Sequence, residues 1–513
     1  MIAFEDIKLE LYFGSSWTDV YRDVVGNVRV SYGIKGGGPL DRIASIGTMK
    51  FMLYSTSGEY IPGHSGASAY FTEGMLAKIS FTYTPVSVQI EHVKFYGRIQ
   101  SINPIPADGL GYYTEVTVVD YMNELAVHEM NLPTFVENKT LTEILPLILA
   151  NIPVSPVNYF NNSSTSIFPG VFDTTLSKTR AMSELAKAVN SELGYAYCTP
   201  QFVVEFGSST IIENMVVEGR YTAPLLLYQS EVTLTDEDIS DIEFEFGKHY
   251  YNDIKTTVYP REIDAAATSV LYSLEYVIQI GPGETLTIKG QYKDPNQNAV
   301  QVTGIDMVTP AATTDYTFNA QQSGGGSDIT ADLDVTATYG TNGVEYELTN
   351  NNAATGYVTK LQARGKGVYI YRPVEYDAEY AAGIAADGRK TLSLTMPYES
   401  NPLVGKDFAD ALIEVYKTKV LNVLSITAEV NKNAKLMAYF IGIGLRRRVT
   451  LDLDDLEVDE DYYINGIEFD LTNTGNLFLK LYLSPLRYST SSNVWVLGYT
   501  GKTELDSTTI LAF

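Results

Sequence analysis

The side chains that most often carry catalysis are few in this sequence and lie far apart along it. The histidines are His64, His92, His128 and His249, and no two have the i and i+4 spacing that places paired zinc ligands on one helix face. Cys198 is the single cysteine, so it lacks a partner for an intrachain disulfide, and we expect a small buried hydrophobic side chain there. We therefore predict no catalytic, cofactor-binding or metal-binding residues, and no cofactor.

Two short patterns come close to known binding motifs. Gly501-Lys502-Thr503 matches the end of a phosphate-binding loop, but Val496 stands where that loop needs its leading glycine, so we reject this interpretation. The acidic run at 452–461 offers carboxylates to calcium, yet it lacks the sharp-turn glycine of a helix-loop-helix site. We interpret the run as a solvated acidic loop, with a calcium site as the alternative.

Hydrolytic chemistry has no local signature. The pattern Gly-x-Ser-x-Gly is absent, and no histidine lies near Cys198 in the sequence. Paired carboxylates for glycoside hydrolysis stay open, because the 62 acidic residues provide many pairs and the sequence favours none of them. Most of the 38 tyrosines are expected to be sheet residues with a polar tip rather than a sugar-binding surface.

Composition indicates a folded chain of several domains. The 513 residues are enough for roughly three or four separate cores. Hydrophobic residues make up 45% of the chain, and its Tyr, Thr, Val and Ile content favours sheets. We therefore expect a mainly β protein with α+β parts.

Charge and hydropathy exclude several classes of function. A formal net charge of −26 disfavours nonspecific binding to nucleic acid or anionic lipid. We interpret the only basic cluster, 446–448, as an interface or salt-bridge edge. The sequence has no run of about eighteen apolar residues. Its N-terminus is acidic where a signal peptide is basic, so we expect neither a membrane anchor nor a classical export signal.

The first and second parts of the chain differ in their hydrophobic period. Residues 1–130 alternate apolar and polar side chains, as at Ile7, Leu9 and Leu11, and are broken by turn-rich stretches such as 36–39, so they predict a β domain. Residues 131–230 predict an α+β connecting domain with two helices. Thr140 and Glu143 form a possible capping box for the first helix.

One proline and one glycine are expected to limit the lengths of these two helices. Pro146 removes an interior hydrogen bond, which shortens or kinks the first helix. The second helix is expected to stop at Gly194, which can take the left-handed conformation.

The remainder predicts a second β domain with an insertion. Its two parts are 231–279, where Ile242, Phe244 and Phe246 alternate, and 366–487, where a helix carries Phe408 to Val420 on one side. Between them, 280–365 is rich in Thr, Asn and Gly and is interpreted as an inserted sandwich-like β module. Residues 488–513 form a C-terminal tail.

A series of short motifs follows one order along the chain. They are WTDV at 17–20, LDRIA at 40–44, GTMKFML at 47–53, FYGRI at 95–99, VTVVD at 116–120, LGY at 193–195, YYNDI at 250–254, TKLQARG at 359–365 and YYINGI at 462–467. In this order, which covers most of the chain up to about residue 487, the sequence resembles the minor tail proteins of long-tailed bacteriophages that form the hub of a baseplate or tail tip.

The resemblance implies a fold and a structural role. The fold has two tail-tube-like β-barrel or sandwich domains joined by a small α/β domain, with an inserted β module. Three chains would form a hub ring at the virion tail tip, adapting the sixfold tail tube to a threefold tip and allowing genome passage. The protein, made in the host cytoplasm, would be no enzyme.

The resemblance also implies partners. They are the tail tube or distal-tail protein ring, the tape-measure protein, and fibre or spike proteins, with no specific nucleic-acid binding. Two alternatives stay open. One is the neighbouring distal-tail ring protein, with six copies expected. The other is a tail-tip carbohydrate-binding or depolymerising protein, which needs convergent acids or an exposed aromatic surface.

Overall fold

The chain is mainly β, with 51% of residues in strands and 17% in helices, which confirms the predicted fold class. The computed structural model describes residues 3–68, 70–83, 91–107, 111–131, 135–154, 158–162, 166–172, 178–205, 208–218 and 232–485, together with 494–495 and 510–511.

The N-terminal strands follow the predicted alternation. They are β1 (Asp6–Phe13), β2 (Ser16–Asp19), β3 (Val28–Gly33), β4 (Ser45–Ser55), β5 (Leu76–Thr82), β6 (Glu91–Ala107) and β7 (Gly111–Val119). In β1, Leu9 and Leu11 are fully buried while their neighbours are partly exposed. Alternation therefore sets one face of each such strand against the core.

Helices enter after β7. The elements are α1 (Met122–Val127), β8 (Glu129–Asn131), β9 (Val136–Thr140), α2 (Leu141–Leu149), β10 (Asn158–Asn162), β11 (Ile167–Val171), β12 (Lys178–Arg180), α3 (Ala181–Glu192), β13 (Tyr195–Glu205) and β14 (Ser208–Glu218). The capping box is confirmed: the Thr140 backbone N donates to Glu143 Oε2 at 2.9 Å. With Pro146 inside it, α2 has nine residues, in keeping with the expected short element.

The end of α3 corrects one prediction. Leu193, not Gly194, takes the left-handed conformation, with φ 55°. A left-handed conformation costs a non-glycine residue about 1–2 kcal/mol. Leu193 is only 7% exposed and packs in the core beneath β17 and α5, defined below, and its carbonyl accepts a hydrogen bond from Arg42 Nη1. Tertiary packing therefore offsets the backbone strain.

The described part of the chain from residue 232 onward alternates strands with three α-helices. It begins with β15 (Thr233–Thr235), β16 (Asp241–Phe246) and β17 (Asp253–Val258). The strands β18 (Arg261–Ile263), β19 (Ser269–Ser273), β20 (Ile278–Ile280), β21 (Thr285–Gln291), β22 (Lys293–Asp294), β23 (Gln297–Gln301), β24 (Thr303–Ile305), β25 (Tyr316–Asn319), β26 (Leu333–Tyr339), β27 (Gly343–Asn350) and β28 (Gly356–Ile370) follow. The last elements are β29 (Val374–Glu379), α4 (Ala381–Asp387), β30 (Thr391–Met396), α5 (Pro402–Tyr416), β31 (Leu421–Glu429), α6 (Ala434–Gly442), β32 (Arg448–Leu453), β33 (Val458–Leu471), β34 (Leu477–Pro485), β35 (Val494–Trp495) and β36 (Ile510–Leu511).

One 13-stranded sheet joins the two ends of the chain. Its strand order is β16-β31-β34-β33-β3-β4-β7-β6-β5-β1-β2, with β32 beside β33 and β15 beside β32. The antiparallel pair β3–β33 connects the N-terminal strands to the C-terminal ones. Among the described residues the sheet is open and does not close into a barrel. The N-terminal unit (β1–β7) and the C-terminal unit (β15, β16 and β31–β34) are thus joined strand to strand, and in the described residues neither unit closes on itself.

Three main cores lie under these sheets. The largest unites the N- and C-terminal units, where the Phe81 and Phe440 rings pack 5.0 Å apart and Phe440 and Phe469 5.4 Å apart. A second core lies between the sheet around β28 and the three-stranded sheet β21-β27-β26. A third lies between α5 and the sheet β29-β17-β30.

Candidate assembly surfaces

The joint between the two β units depends on close backbone approach. Gly33 has φ 91°, and a Cβ there would lie 2.6 Å from the backbone oxygen of Asn465. A Cβ on Gly466 would lie 2.7 Å from the oxygen of Ile34, whose backbone N donates to Asn465 O at 2.8 Å. Only glycine fits at these positions because a side chain would push the paired strands apart.

The glycine-rich loop at 36–38 belongs to the same joint. The Asn465 side-chain amide donates to Gly36 O at 3.1 Å, and a Cβ on Gly37 would lie 2.6 Å from Leu483 O. The loop is closed on itself by a hydrogen bond of 2.9 Å from Gly38 N to Asp41 Oδ2. This loop therefore attaches the N-terminal unit to β33 and β34.

Arg446 lies at the centre of the joint. Its guanidinium carbon is 3.8 Å from the ring centroid of Tyr195 and 4.8 Å from that of Tyr463. Its Nη1 donates to Asn465 Oδ1 at 2.8 Å, and the residue is only 6% exposed. A small cavity of about 140 Å³ beside it is also lined by His249. Arg446 therefore links the α+β region, through Tyr195, to the C-terminal strands.

Arg448, a second member of the basic cluster, begins β32. It pairs with Asp461 on β33, which also accepts a hydrogen bond from Thr450 at 2.6 Å. The predicted salt bridge is therefore present at Arg448, but β32 is no edge strand, because it pairs with both β15 and β33. Arg446 is instead an interior residue, because two tyrosine faces cover its guanidinium.

The acidic run at 452–461 crosses the turn between β32 and β33. The side chains of Asp454, Asp455 and Glu457 are exposed in this turn, as are those of Asp452, Asp459 and Glu460. The run is therefore solvent-exposed, as predicted. Within the described ranges, no group of three or more His, Cys, Asp or Glu side chains is arranged to hold a metal ion.

The histidines occupy unrelated positions. His64 Nδ1 accepts from Gly66 N at 3.0 Å, and His128 lies 3.2 Å from Glu124 Oε2. His92 is on β6, where burial and nearby Lys94 lower its pKa. Cys198 is buried on β13, which confirms the expected small hydrophobic side chain. The Gly501-Lys502-Thr503 segment lies outside the described residues.

An exposed apolar edge distinguishes the end strand β16. In the described sheet it pairs only with β31. The predicted strand is confirmed, and Ile242 packs against the largest core, but Phe244 is 47% exposed and Phe246 68% exposed. Asp241, Glu243 and Glu245 alternate with these apolar residues. An unpaired strand edge with exposed aromatic side chains is typical of an interaction surface.

Membrane insertion through a helix finds no support in the described part of the chain. None of its helices combines the length and the apolar character that crossing a bilayer requires.

Comparison with known proteins finds similar solved structures but no matching sequence family. Neither a family model nor a curated protein matches this sequence. A tail protein from Neisseria meningitidis MC58 is 9% identical, with a TM-score of 0.48, 94% of this chain covered and 96% of that chain. The prophage MuSo2 43 kDa tail protein from Shewanella oneidensis is 10% identical, with a TM-score of 0.47 and coverages of 93% and 98%.

A third similar structure is the prophage tail protein gp18 from Listeria monocytogenes EGD-e. It is 8% identical, with a TM-score of 0.41, 93% of this chain covered and 94% of that chain. Each of the three is a tail protein, and the second and third are described as prophage tail proteins. At identities of 10% or less and TM-scores below 0.5, the similarities define no family for this chain.

Proposed function

We propose that this chain is a structural, non-enzymatic protein of a bacteriophage virion that forms the hub ring at the tail tip or baseplate. The ordered motifs at 17–20 through 462–467 support the class of protein. The observation that carries the hub role is the shared sheet, in which β3 of the N-terminal unit pairs with β33 of the C-terminal unit. Each chain thereby holds two β units in one fixed relation.

The presence of two β units in each chain would allow a threefold ring to match a sixfold tube. Three copies would present six β units to a sixfold tail tube, while the chain itself repeats only three times. Closed rings also remove exposed strand edges, which otherwise promote aggregation. In this proposal the ring adapts the sixfold tube to a threefold tip and leaves a passage for the genome. The domain limits near residues 130, 230, 280, 365 and 487 belong to the proposal.

We assign one subunit contact to the edge strand β16. Its exposed Phe244 and Phe246 would be buried against the next copy of the chain. A heterologous contact of this kind, repeated around an axis, closes a ring. The opposite end of the sheet is β2, whose only partner in the described residues is β1. The two ends of the main strand order are therefore distinct surfaces, as a head-to-tail ring requires, while β15 ends the side branch at β32.

The proposed partners follow from the position in the tail. They are the tail tube or distal-tail ring above the hub, the tape-measure protein in the lumen, and fibre or spike proteins outside. The net charge of −26 suits a passage for DNA, because like charges repel phosphate. The purified ring should therefore release DNA even at low salt, and tight retention in a filter-binding assay would contradict this part of the proposal.

The assembly is tested by the mass of the purified protein in native mass spectrometry and light scattering at several concentrations. A trimer is expected. The double variant Phe244→Asp, Phe246→Asp should be monomeric, because it places two carboxylates in the apolar contact. Leu403→Asp is the matched control, since Leu403 is 63% exposed on α5. It should leave the trimer intact.

The other outcomes are equally informative. A hexamer would assign the chain to the distal-tail ring, and a stable monomer at every concentration would overturn the hub proposal. A trimer that persists in the double variant would remove β16 from the subunit contact. Circular dichroism should show that both variants keep the wild-type strand content, because the substituted side chains are exposed.

A further inference from the structure

The module built around β28 has an open groove on one side. On one side it is lined by β19 and the turn that follows this strand. On the other side it is lined by β21 of the three-stranded sheet and by Lys293 at the start of β22. Its volume is about 830 Å³. Binding pockets for small molecules have volumes of roughly 300–1,000 Å³. The groove is therefore large enough for several sugar rings or a short peptide.

Two tyrosines form the wall of this groove. The ring of Tyr272 packs against the backbone of Gly290, where a Cβ would lie 2.4 Å from two of its carbons. It also lies 6.2 Å from the buried ring of Tyr346. The contacts with Gly290 and Tyr346 therefore fix the position of the Tyr272 ring. Tyr276, in the turn after β19, is 80% exposed.

The charged side chains that line the groove form ion pairs. Lys293 Nζ lies 2.9 Å from Glu275 Oε1. Lys289 is paired in the same way with Glu345, at 2.9 Å. Each of the three charged side chains that line the groove, Glu275, Lys289 and Lys293, therefore has an ion-pair partner, which disfavours an ionic ligand.

An oriented amide adds hydrogen-bonding capacity without charge. Gln301 Nε2 donates to Gln291 Oε1 at 2.9 Å. This contact holds the Gln291 amide at the end of β21, on the groove surface. Amide groups both donate and accept hydrogen bonds, which suits a ligand that carries many hydroxyl groups.

We propose that this groove binds a neutral oligosaccharide. The exposed face of Tyr276 packs against the C–H face of a sugar ring, as aromatic side chains with a polar tip do at partly wet surfaces. Gln291 and the paired Glu275 and Lys293 supply hydrogen bonds to the hydroxyl groups. The binding activity would add to the proposed structural role and does not depend on it, because Glu275, Tyr276, Gln291 and Lys293 lie neither on β16 nor at the β3–β33 joint.

An extended peptide is the competing occupant, since both β19 and β21 are edge strands of their sheets in the described residues. Addition of a peptide strand needs an evenly spaced row of backbone donors and acceptors. The pairing of β19 is interrupted by a register shift between Val270 and Tyr272. Such an irregularity twists an edge and disfavours strand addition. The pairing of β21 is regular, but this edge strand carries the exposed Lys289, a charge that also disfavours strand addition. The observations therefore favour a sugar.

The test is calorimetric titration of the full chain with chitotriose, cellotriose, maltotriose and mannotriose at up to about 10 mM. Trigalacturonate serves as the anionic probe and an alternating Thr-Val peptide as the extended-strand probe. We expect saturable binding of at least one neutral trisaccharide and none of the other two probes. Tyr276→Ala and Gln291→Ala should each weaken that binding by roughly tenfold.

Tyr371→Ala is the matched control. Tyr371 is 50% exposed and follows β28 outside the groove, so its removal should leave the affinity unchanged. The proposal is overturned if no neutral trisaccharide binds, if only trigalacturonate or the peptide binds, or if the Tyr276 variant binds as tightly as the wild type. None of these results depends on ring assembly, which the mass measurement tests separately.

Discussion

Asp120 is a buried carboxyl whose replacement should change how stability depends on pH. It follows β7 and is only 6% exposed. Its Oδ1 accepts a hydrogen bond of 3.1 Å from Met122 N at the start of α1. Burial raises its pKa from 3.8 to about 7. In Asp120→Asn, an amide oxygen replaces this acceptor and the titrating group is removed.

The sign of the effect follows from proton binding. Between about pH 4 and pH 7 the folded protein holds a proton on Asp120 that the unfolded chain has lost, so the free energy of unfolding falls as the pH rises. The stabilisation that this proton provides is complete below the pKa of Asp120 in the unfolded chain. It is lost as the pH rises through the pKa of Asp120 in the folded protein. Each unit of pKa difference corresponds to about 1.4 kcal/mol, so a folded-state pKa of about 7 implies a loss of roughly 4 kcal/mol by pH 8.

The assay is urea unfolding from about pH 4 to about pH 8, followed by tryptophan fluorescence in the background Trp495→Phe, which leaves Trp17 on β2, in the same sheet as β7, as the single tryptophan. Asp120→Asn should be close to the wild type at low pH and roughly 4 kcal/mol more stable at high pH. Asp120→Ala should lose the same slope but be about 1 kcal/mol less stable than Asp120→Asn at every pH, because Met122 N loses its partner. A constant difference between Asp120→Asn and the wild type over the whole range would refute the reasoning.

Three further predictions concern the joint and the inserted module. Arg446→Ala should lower the free energy of unfolding by about 3 kcal/mol in urea titrations, because it removes a buried charged hydrogen bond and two aromatic contacts. Gly33→Ala should cost more than about 2 kcal/mol and raise hydrogen exchange in β3 and β33, since its Cβ meets Asn465 O. Asp315→Asn should melt the module at lower temperature, because the buried Asp315 pairs with Arg364. That pair lowers the pKa of Asp315, so its stabilisation should fade as the pH drops through the acid range.

A matched glycine substitution separates the effect of close approach at the joint from that of backbone strain alone. Gly63→Ala is the control for Gly33→Ala, because Gly63 also has a positive φ but a Cβ there would meet nothing within 4 Å. It should cost only the backbone strain of about 1 kcal/mol. If both glycine variants lose the same stability, close approach at the joint is not the cause.

Local features were predictable because they depend on neighbours in sequence. The strand alternation of β1 and β4, the capping box of Thr140 and Glu143, and the helix of α5 are each set by side chains a few residues apart. The end of α3 was mispredicted by one residue, since burial of Leu193 outweighed the local preference for glycine.

The tertiary structure alone decided the contacts that matter for assembly and binding. Pairing of β3 with β33 joins residues such as Arg29 and Asp470, which are 441 positions apart, and no local period encodes such a pairing. The same alternation that buries β1 leaves Phe244 and Phe246 of β16 exposed, because nothing in the described chain covers that face. Local sequence determined strands such as β1 and β4 and the helices α2, α3 and α5, whereas the short helices α1 and α6 were not predicted. Which strand faces meet, and which stay open to a second chain or a sugar, depends on packing between distant segments.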